Sequence, residues 1–181
     1  ALKKTPGITA VFTTQCETST GVVHDIKAIS PLVKKYGALM IVDSITGIGV
    51  HQFLMDEWNI DVAITGSQKG CMMPPGLAFV CVNSSAWGVI EKADLPRYYW
   101  DFRKMRKDLK DKTTPFTPAV SLVMAMKTAM DMVKKEGLEN VWKRHARLAH
   151  ATREGAKALG LELFAGEYAS NVLTAIKAPK G

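Results

Sequence analysis

Three short runs carry the fold: Ala38–Asp43 (ALMIVD), Asp61–Ser67 (DVAITGS) and Leu77–Val82 (LAFVCV). Each is apolar without interruption and rich in β-branched residues. An alternating pattern marks a strand with one wet face, whereas continuous runs mark strands covered on both faces. Upstream, Ile8–Thr14 (ITAVFTT) has the same character and breaks into the small polar loop Gln15–Gly21 (QCETSTG). Val23, Ile26, Ile29, Leu32 and Val33 then follow helical spacing, which predicts a helix over 22–36 closed by Gly37. Strands interleaved with helices predict an α/β fold with a mostly parallel sheet and flanking helices.

Downstream, Ala86–Ala93 reads as a short helix and Leu95–Pro118 as a basic, aromatic excursion. Ala119–Glu136 predicts a Met-rich helix with Val120, Val123, Met124, Met130 and Val133 inward. Leu138–Leu159 predicts a second long helix with Val141, Leu148 and Leu159 as core contacts. Leu161–Phe164 and Val172–Ile176 predict strands of a following element, so residues 1–160 and 161–181 read as separate units.

Composition bounds the function. The chain has 181 residues and 47% apolar content, enough for a core. Its longest apolar run is six residues, Leu77–Val82, against the roughly 20 a membrane helix needs. Three cysteines without a C-x-x-C pair argue against a disulfide scaffold or thiolate metal site, and a reducing cytoplasm is the expected setting. His24, His51, His145 and His150 lack metal-ligand spacing, so no metal is expected. The net charge is +7, of which Arg97–Lys112 holds +4. Aromatics interleave with cations there, but no nucleic-acid motif does, and no nucleic-acid partner is expected. Lys143, Arg144, Arg147, Arg153 and Lys157 read as one solvated helix face.

Ligands of open parallel sheets bind beyond the carboxyl ends of the strands. Three features fall there: Glu17–Gly21 (ETSTG), Asp43, and Ser67-Gln68-Lys69. Asp43 and Lys69 also suit a plainer pair of roles, a turn-capping acid and a solvated loop lysine. A free lysine amine titrates near 10.4, so holding one neutral at pH 7 costs roughly 4–5 kcal/mol. Desolvation lowers that cost, and the apolar, restricted run Gly70–Gly76 after Lys69 is a suitable wall. A carboxylate facing a ring nitrogen and a lysine facing an aldehyde are together the requirement of pyridoxal phosphate (PLP).

VDSITGIG at Val42–Gly49 and TGSQKGCMMPPGLAFV at Thr65–Val80 resemble the class V aminotransferases of PLP fold type I. The likeness is strongest to the alanine–glyoxylate and serine–pyruvate (serine–glyoxylate) enzymes. ETSTG at Glu17–Gly21, TPFTPAVSL at Thr114–Leu122 and GLENVWKRH at Gly137–His145 extend it along the chain. The resemblance implies an amino-group transfer from alanine or serine to glyoxylate or pyruvate, with PLP as cofactor, in a homodimer. It implies Lys69 as the Schiff-base lysine and Asp43 as partner of the pyridine nitrogen. It places Ile45 on the ring face, Thr18 near the ring hydroxyl and Gln68 on the phosphate. Thr117 would contact the phosphate of the neighbouring subunit. Gln68 stands where cysteine desulfurases carry a histidine, which disfavours a desulfurase. A desulfurase or lyase, or a non-catalytic dimerisation module, are the alternatives. Members of the family are longer, so the chain is expected to be the central part of an incomplete large domain (1–160) with the start of the small domain (161–181), inactive alone.

Overall fold

A computed structural model describes residues 1–179; Lys180 and Gly181, the end of the expected small-domain segment, lie outside the described residues. Its centre is a four-stranded sheet whose strands lie side by side in the order 10–14, 39–43, 62–66 and 78–82. β1 (Ala10–Thr14), β4 (Leu39–Asp43) and β5 (Val62–Gly66) run parallel, with Thr14 beside Asp43 and Asp43 beside Ile64. β6 (Ala78–Val82) runs antiparallel to β5. A parallel return needs a crossover of a dozen or more residues, and the 67–77 connection is a compact loop without a helix. The sheet is therefore mostly parallel, as expected.

The crossover from β1 to β4 is α1 (Ile26–Lys35), shorter than predicted. Asp25 starts it, its side chain accepting from the Ala28 N–H. Val22 and Val23 instead form β3, which pairs with β2 (Cys16–Glu17) in a tight hairpin. Gly21 closes that hairpin at φ +70°, a conformation glycine adopts freely. α1 covers one sheet face. Ile26 and Val33 pack with Ala38, Met40, Val42, Ile60 and Ala63 into the core.

The other face departs from the expectation of two covered faces. Phe12 is 76% exposed and Val80 is also exposed. An apolar cavity of about 470 Å³ there is lined by Phe12, Ile41, Ile64, Val80, Val89 and Phe102. Continuous apolarity shows that both faces avoid water, not which segment covers them. α2 (Ser84–Ile90) and the start of α3 (Phe102–Lys110) border this face. α3 occupies part of the stretch read as an irregular excursion. Its cap is Asp101, accepting from Arg103 N–H. Phe102, Met105 and Leu109 carry the helical spacing that heavy charge obscures.

α4 (Val120–Glu136) and α5 (Leu138–Ala158) meet at Gly137 (φ +85°). The predicted inward residues Val120, Val123 and Met124 are exposed, as are Leu148 and Leu159. Val141 is buried as predicted, but alongside Ala129, Ala149 and Ala156. Small residues thus take the buried positions of these helices, and several of the bulkier apolar residues stay exposed. Arg153 also leaves the solvated face. It is half-buried and donates to the Ser170 carbonyl at 2.8 Å. The two predicted C-terminal runs meet only in a short antiparallel ladder, with Phe164 N–H on Ala175 O and Lys177 N–H on Glu162 O.

Below the sheet's start, Asp61 is fully buried. It accepts from Lys34 Nζ at 2.5 Å, Met40 N at 2.7 Å and Asn83 Nδ2 at 2.9 Å. Burial pushes its carboxyl up, but the bonds from Lys34, Met40 and Asn83, with the Lys34 charge, outweigh burial and hold it below the usual carboxylate range. This ion pair ties α1 to β4, β5 and α2, away from the strand ends where the site lies. No helix among the described residues is long and apolar enough to cross a membrane.

Candidate active site

Three loops leave the carboxyl ends of β1, β4 and β5 and converge. Asp43 closes β4 and is half-buried. Its Oδ1 accepts from Ile45 N–H at 2.9 Å, and its carbonyl accepts from Gln15 N–H at 2.8 Å. Among the described residues, no hydrogen bond occupies its Oδ2. The 44–51 loop then folds over Gln15. Ser44 Oγ donates to Gln15 Oε1 at 2.5 Å, and Gln15 Nε2 donates to the Gln52 carbonyl at 3.0 Å. A side chain at Gly47 would collide with Gln15 Oε1 and Ser44 Oγ, which is why the tight turn takes glycine there. Buried Thr46 shares a hydrogen bond of 2.7 Å with Thr18, which stands exposed on the β2–β3 hairpin turn.

The 67–77 loop is pinned by buried Ser67. Ser67 N–H donates to Leu77 O at 3.0 Å and its Oγ donates to Pro74 O at 2.7 Å. Ser67 Oγ also accepts from Leu77 N–H at 3.2 Å, and Met73 N–H donates to Ser67 O at 3.1 Å. The turn that follows, with Met72 N–H on Lys69 O and Met72 at φ +59°, sets Gln68 and Lys69 on its outer side. Gly66 lies between Gln68 and Ile45: a Cβ added to it would fall 2.9 Å from Gln68 Oε1 and 3.6 Å from Ile45 Cγ2.

The decisive contact joins the second and third loops. A Cβ on Gly49 would stand 2.9 Å from the Gly70 carbonyl oxygen, and one on Gly70 would collide with the Ile48 carbonyl. Gly49 also sits at φ +89°. Backbone thus meets backbone, and Lys69, next to Gly70, is seated beside the loop that Asp43 begins. Lys69 is exposed, contrary to the expected apolar enclosure. Cys71 and Met73 are buried while Met72, Pro74 and Pro75 are exposed, so the 70–76 run does not wall in the amine. No ion pair or hydrogen bond engages the Lys69 ammonium among the described residues.

Of the residues singled out from sequence, the structure brings Thr18, Asp43, Ile45, Gln68 and Lys69 onto these three adjoining loops. Thr117 is exposed on the segment before α4, and among the described residues no hydrogen bond joins it to the group. Leu122 of α4 does abut the 67–77 loop, 2.7 Å from a Cβ built on Gly76. The positioning residues Gln15 and Thr46 escaped notice, although a buried polar residue beside a strand end has a fixed bonding need. A cavity of about 660 Å³ lies alongside, lined by Gln15, His24, His51, Trp58 and Tyr168, without Lys69. Burial pushes the Cys16 and Cys71 thiols up, consistent with unreactive packing roles. Among the described residues, no three His, Cys, Asp or Glu side chains gather as a metal would require.

The sequence profile described as "Aminotransferase class-V" matches residues 3–177, and the chain belongs to that family. It is 51% identical over 174 residues to a protein of Synechococcus sp. (strain PCC 6716) named soluble hydrogenase, small subunit, covering 95% of this chain and 45% of that protein. It is 38% identical over 177 residues to serine–glyoxylate aminotransferase of Arabidopsis thaliana, covering 95% and 44%. The crystal structure of pyridoxamine-pyruvate aminotransferase from Mesorhizobium loti superposes with a TM-score of 0.93 at 35% identity, over 99% of this chain and 47% of that one. The chain therefore spans about half the length of the relatives it matches, and its sheet is that of a fold type I aminotransferase.

Proposed function

We propose that the full-length protein is a PLP-dependent aminotransferase that moves an amino group from serine or alanine to glyoxylate or pyruvate. The observation that carries this is the Gly49–Gly70 contact, which seats Lys69 beside the loop begun by Asp43. The residues fit the cofactor: an unengaged amine, a carboxylate with one free oxygen, and an apolar side chain meet on one edge. The names of the Arabidopsis and Mesorhizobium relatives supply glyoxylate and pyruvate as acceptors.

When bound, PLP supplies an aldehyde for covalent attachment and an electron-withdrawing ring. Lys69 would be the residue that holds it, and its Nζ would be the group placed to carry a proton at the substrate carbon. Asp43 would hold a proton on the ring nitrogen through a charge-assisted hydrogen bond worth about 1.5–3 kcal/mol. Its Oδ1, held by Ile45 N–H, leaves the other oxygen for that bond. Ile45 would pack on the ring, Thr18 and Thr46 would present a hydroxyl pair to the ring oxygen, and Gln68 would offer its amide to the phosphate. Thr117 would contact the phosphate from a second copy of the chain, in a homodimer. Residues 161–181 open the second domain. The free thiols Cys16, Cys71 and Cys81 suit a reducing cytoplasm.

The test uses full-length protein supplied with PLP, serine or alanine, and glyoxylate or pyruvate. Amino transfer that Lys69→Ala abolishes is expected. Absence of transfer, or transfer undiminished in Lys69→Ala, refutes the proposal. Release of sulfide or ammonia would mark a desulfurase or lyase instead. The Synechococcus relative's name raises a second reading, which hydrogen evolution or uptake would establish.

A further inference from the structure

Ser170 is fully buried although it is polar and 119 residues from its nearest side-chain partner in sequence. Its hydroxyl touches three groups: Cys16 Sγ at 3.2 Å, His51 Nε2 at 2.9 Å and Val172 N at 2.9 Å. Its backbone N–H donates to Gly21 O at 2.8 Å, and Ala169 bridges Val22. Its carbonyl accepts from Arg153 of α5. Both strands of the β2–β3 hairpin are therefore gripped at one point, and that hairpin's turn carries Thr18.

The proton positions follow from counting donors. Val172 N–H can only donate, so it donates to Ser170 Oγ; the Cys16 thiol does the same. The serine hydroxyl has one proton left to give, and it goes to His51 Nε2. Asn171 N–H donates to the same nitrogen at 3.1 Å. His51 Nε2 is then an acceptor, and the ring is the neutral tautomer with its proton on Nδ1. Protonation would set an Nε2–H against the Asn171 N–H, donor against donor. The His51 backbone N–H donates to Gly47 O of the loop that carries Thr46.

We propose that Ser170 is a positioning residue for Thr18: it clamps the hairpin bearing Thr18 against the loop bearing Thr46, and the clamp closes only while His51 is neutral. The proposal rests on the reading of Thr18 as part of the PLP site. Facing His51 are Arg153 and His145 of α5; His24, Asp25, Lys27 and Glu167 share its cavity wall, and Cys16 lies behind Ser170. Burial, with the His145 and Arg153 charges, lowers the His51 pKa and keeps the clamp closed at neutral pH.

The experiment uses full-length protein with two readouts. One is amide protection over residues 16–23 in cofactor-free protein, corrected for intrinsic exchange. The other is PLP affinity by equilibrium dialysis, each measured at about pH 8 and about pH 5.5. Ser170→Ala is expected to weaken PLP binding by about tenfold, one net hydrogen bond, and to deprotect 16–23 while β4 and β5 stay protected. Wild type is expected to lose protection over 16–23 at the lower pH. His51→Gln, whose carboxamide oxygen accepts the same two bonds and does not titrate, should show no such loss. Unchanged protection in Ser170→Ala, or an equal acid loss in His51→Gln, overturns the clamp. Altered protection with unchanged PLP affinity overturns the proposal through its reading of Thr18. Should Ser170→Ala fail to fold, the His51→Gln comparison decides alone.

Discussion

Gly70→Ala tests the loop packing that seats Lys69. Its φ lies outside the left-handed region, so alanine meets no backbone strain there, only a steric obstacle. The new methyl would collide with the Ile48 carbonyl, in a loop braced on either side by Ile48 N–H on Ser44 O at 2.9 Å and Val50 N–H on Gly47 O at 3.1 Å. Relief requires the 44–51 and 67–77 loops to part by about 1 Å, and a displacement of about 1 Å in a catalytic group can cost about 100-fold in rate. On the barrier that is about 2.7 kcal/mol. The overpacking itself should cost about 1–3 kcal/mol of stability. Transfer rate with saturating PLP and urea unfolding of full-length protein read the two effects. A variant with the wild-type rate, and stability within about 0.5 kcal/mol, would refute the reasoning.

Other glycines should respond in the opposite direction. Gly88 in α2 and Gly155 in α5 have nothing within 4 Å of an added Cβ, so Gly88→Ala and Gly155→Ala should each gain about 0.5–1 kcal/mol in urea unfolding. Lys34→Met strands the buried Asp61 carboxylate on two neutral donors. Because Lys34 is itself a third exposed, the loss should sit at the low end for a broken buried pair, about 3 kcal/mol. Asp61's lowered pKa makes its contribution fully present above the usual carboxylate pKa of about 3.9, and lost as pH falls through the folded value. Asp61→Asn should therefore flatten the acid limb of the stability curve. His51 gives a separate loss below about pH 6.5, because the unfolded chain takes up the proton first, and His51→Gln should remove it.

Much of this was legible in the sequence because it is local. The runs at 38–43, 61–67 and 77–82 each match a strand to within a residue at either end. The polar residues that follow them, Asp43 and Ser67 through Lys69, mark the edge where the candidate site lies. What failed depended on partners distant in the chain. Direction of β6 was hidden because apolar content does not encode a strand's sense; the compact connection does. Val22 and Val23 fit helical spacing, yet the Asp25 cap starts the helix after them. The buried positions of α4 and α5 are mostly alanines, so size misled the choice of inner face. The Cys16–Ser170–His51 network joins residues up to 154 apart and leaves no local pattern.

The most direct test of Lys69 is chemical. Full-length protein loaded with PLP is reduced with borohydride, digested and mapped. A pyridoxyl group on Lys69, absent from Lys69→Arg and less abundant in Asp43→Asn, is the predicted result. An adduct on another lysine, or none in protein that retains bound PLP, would contradict the assignment.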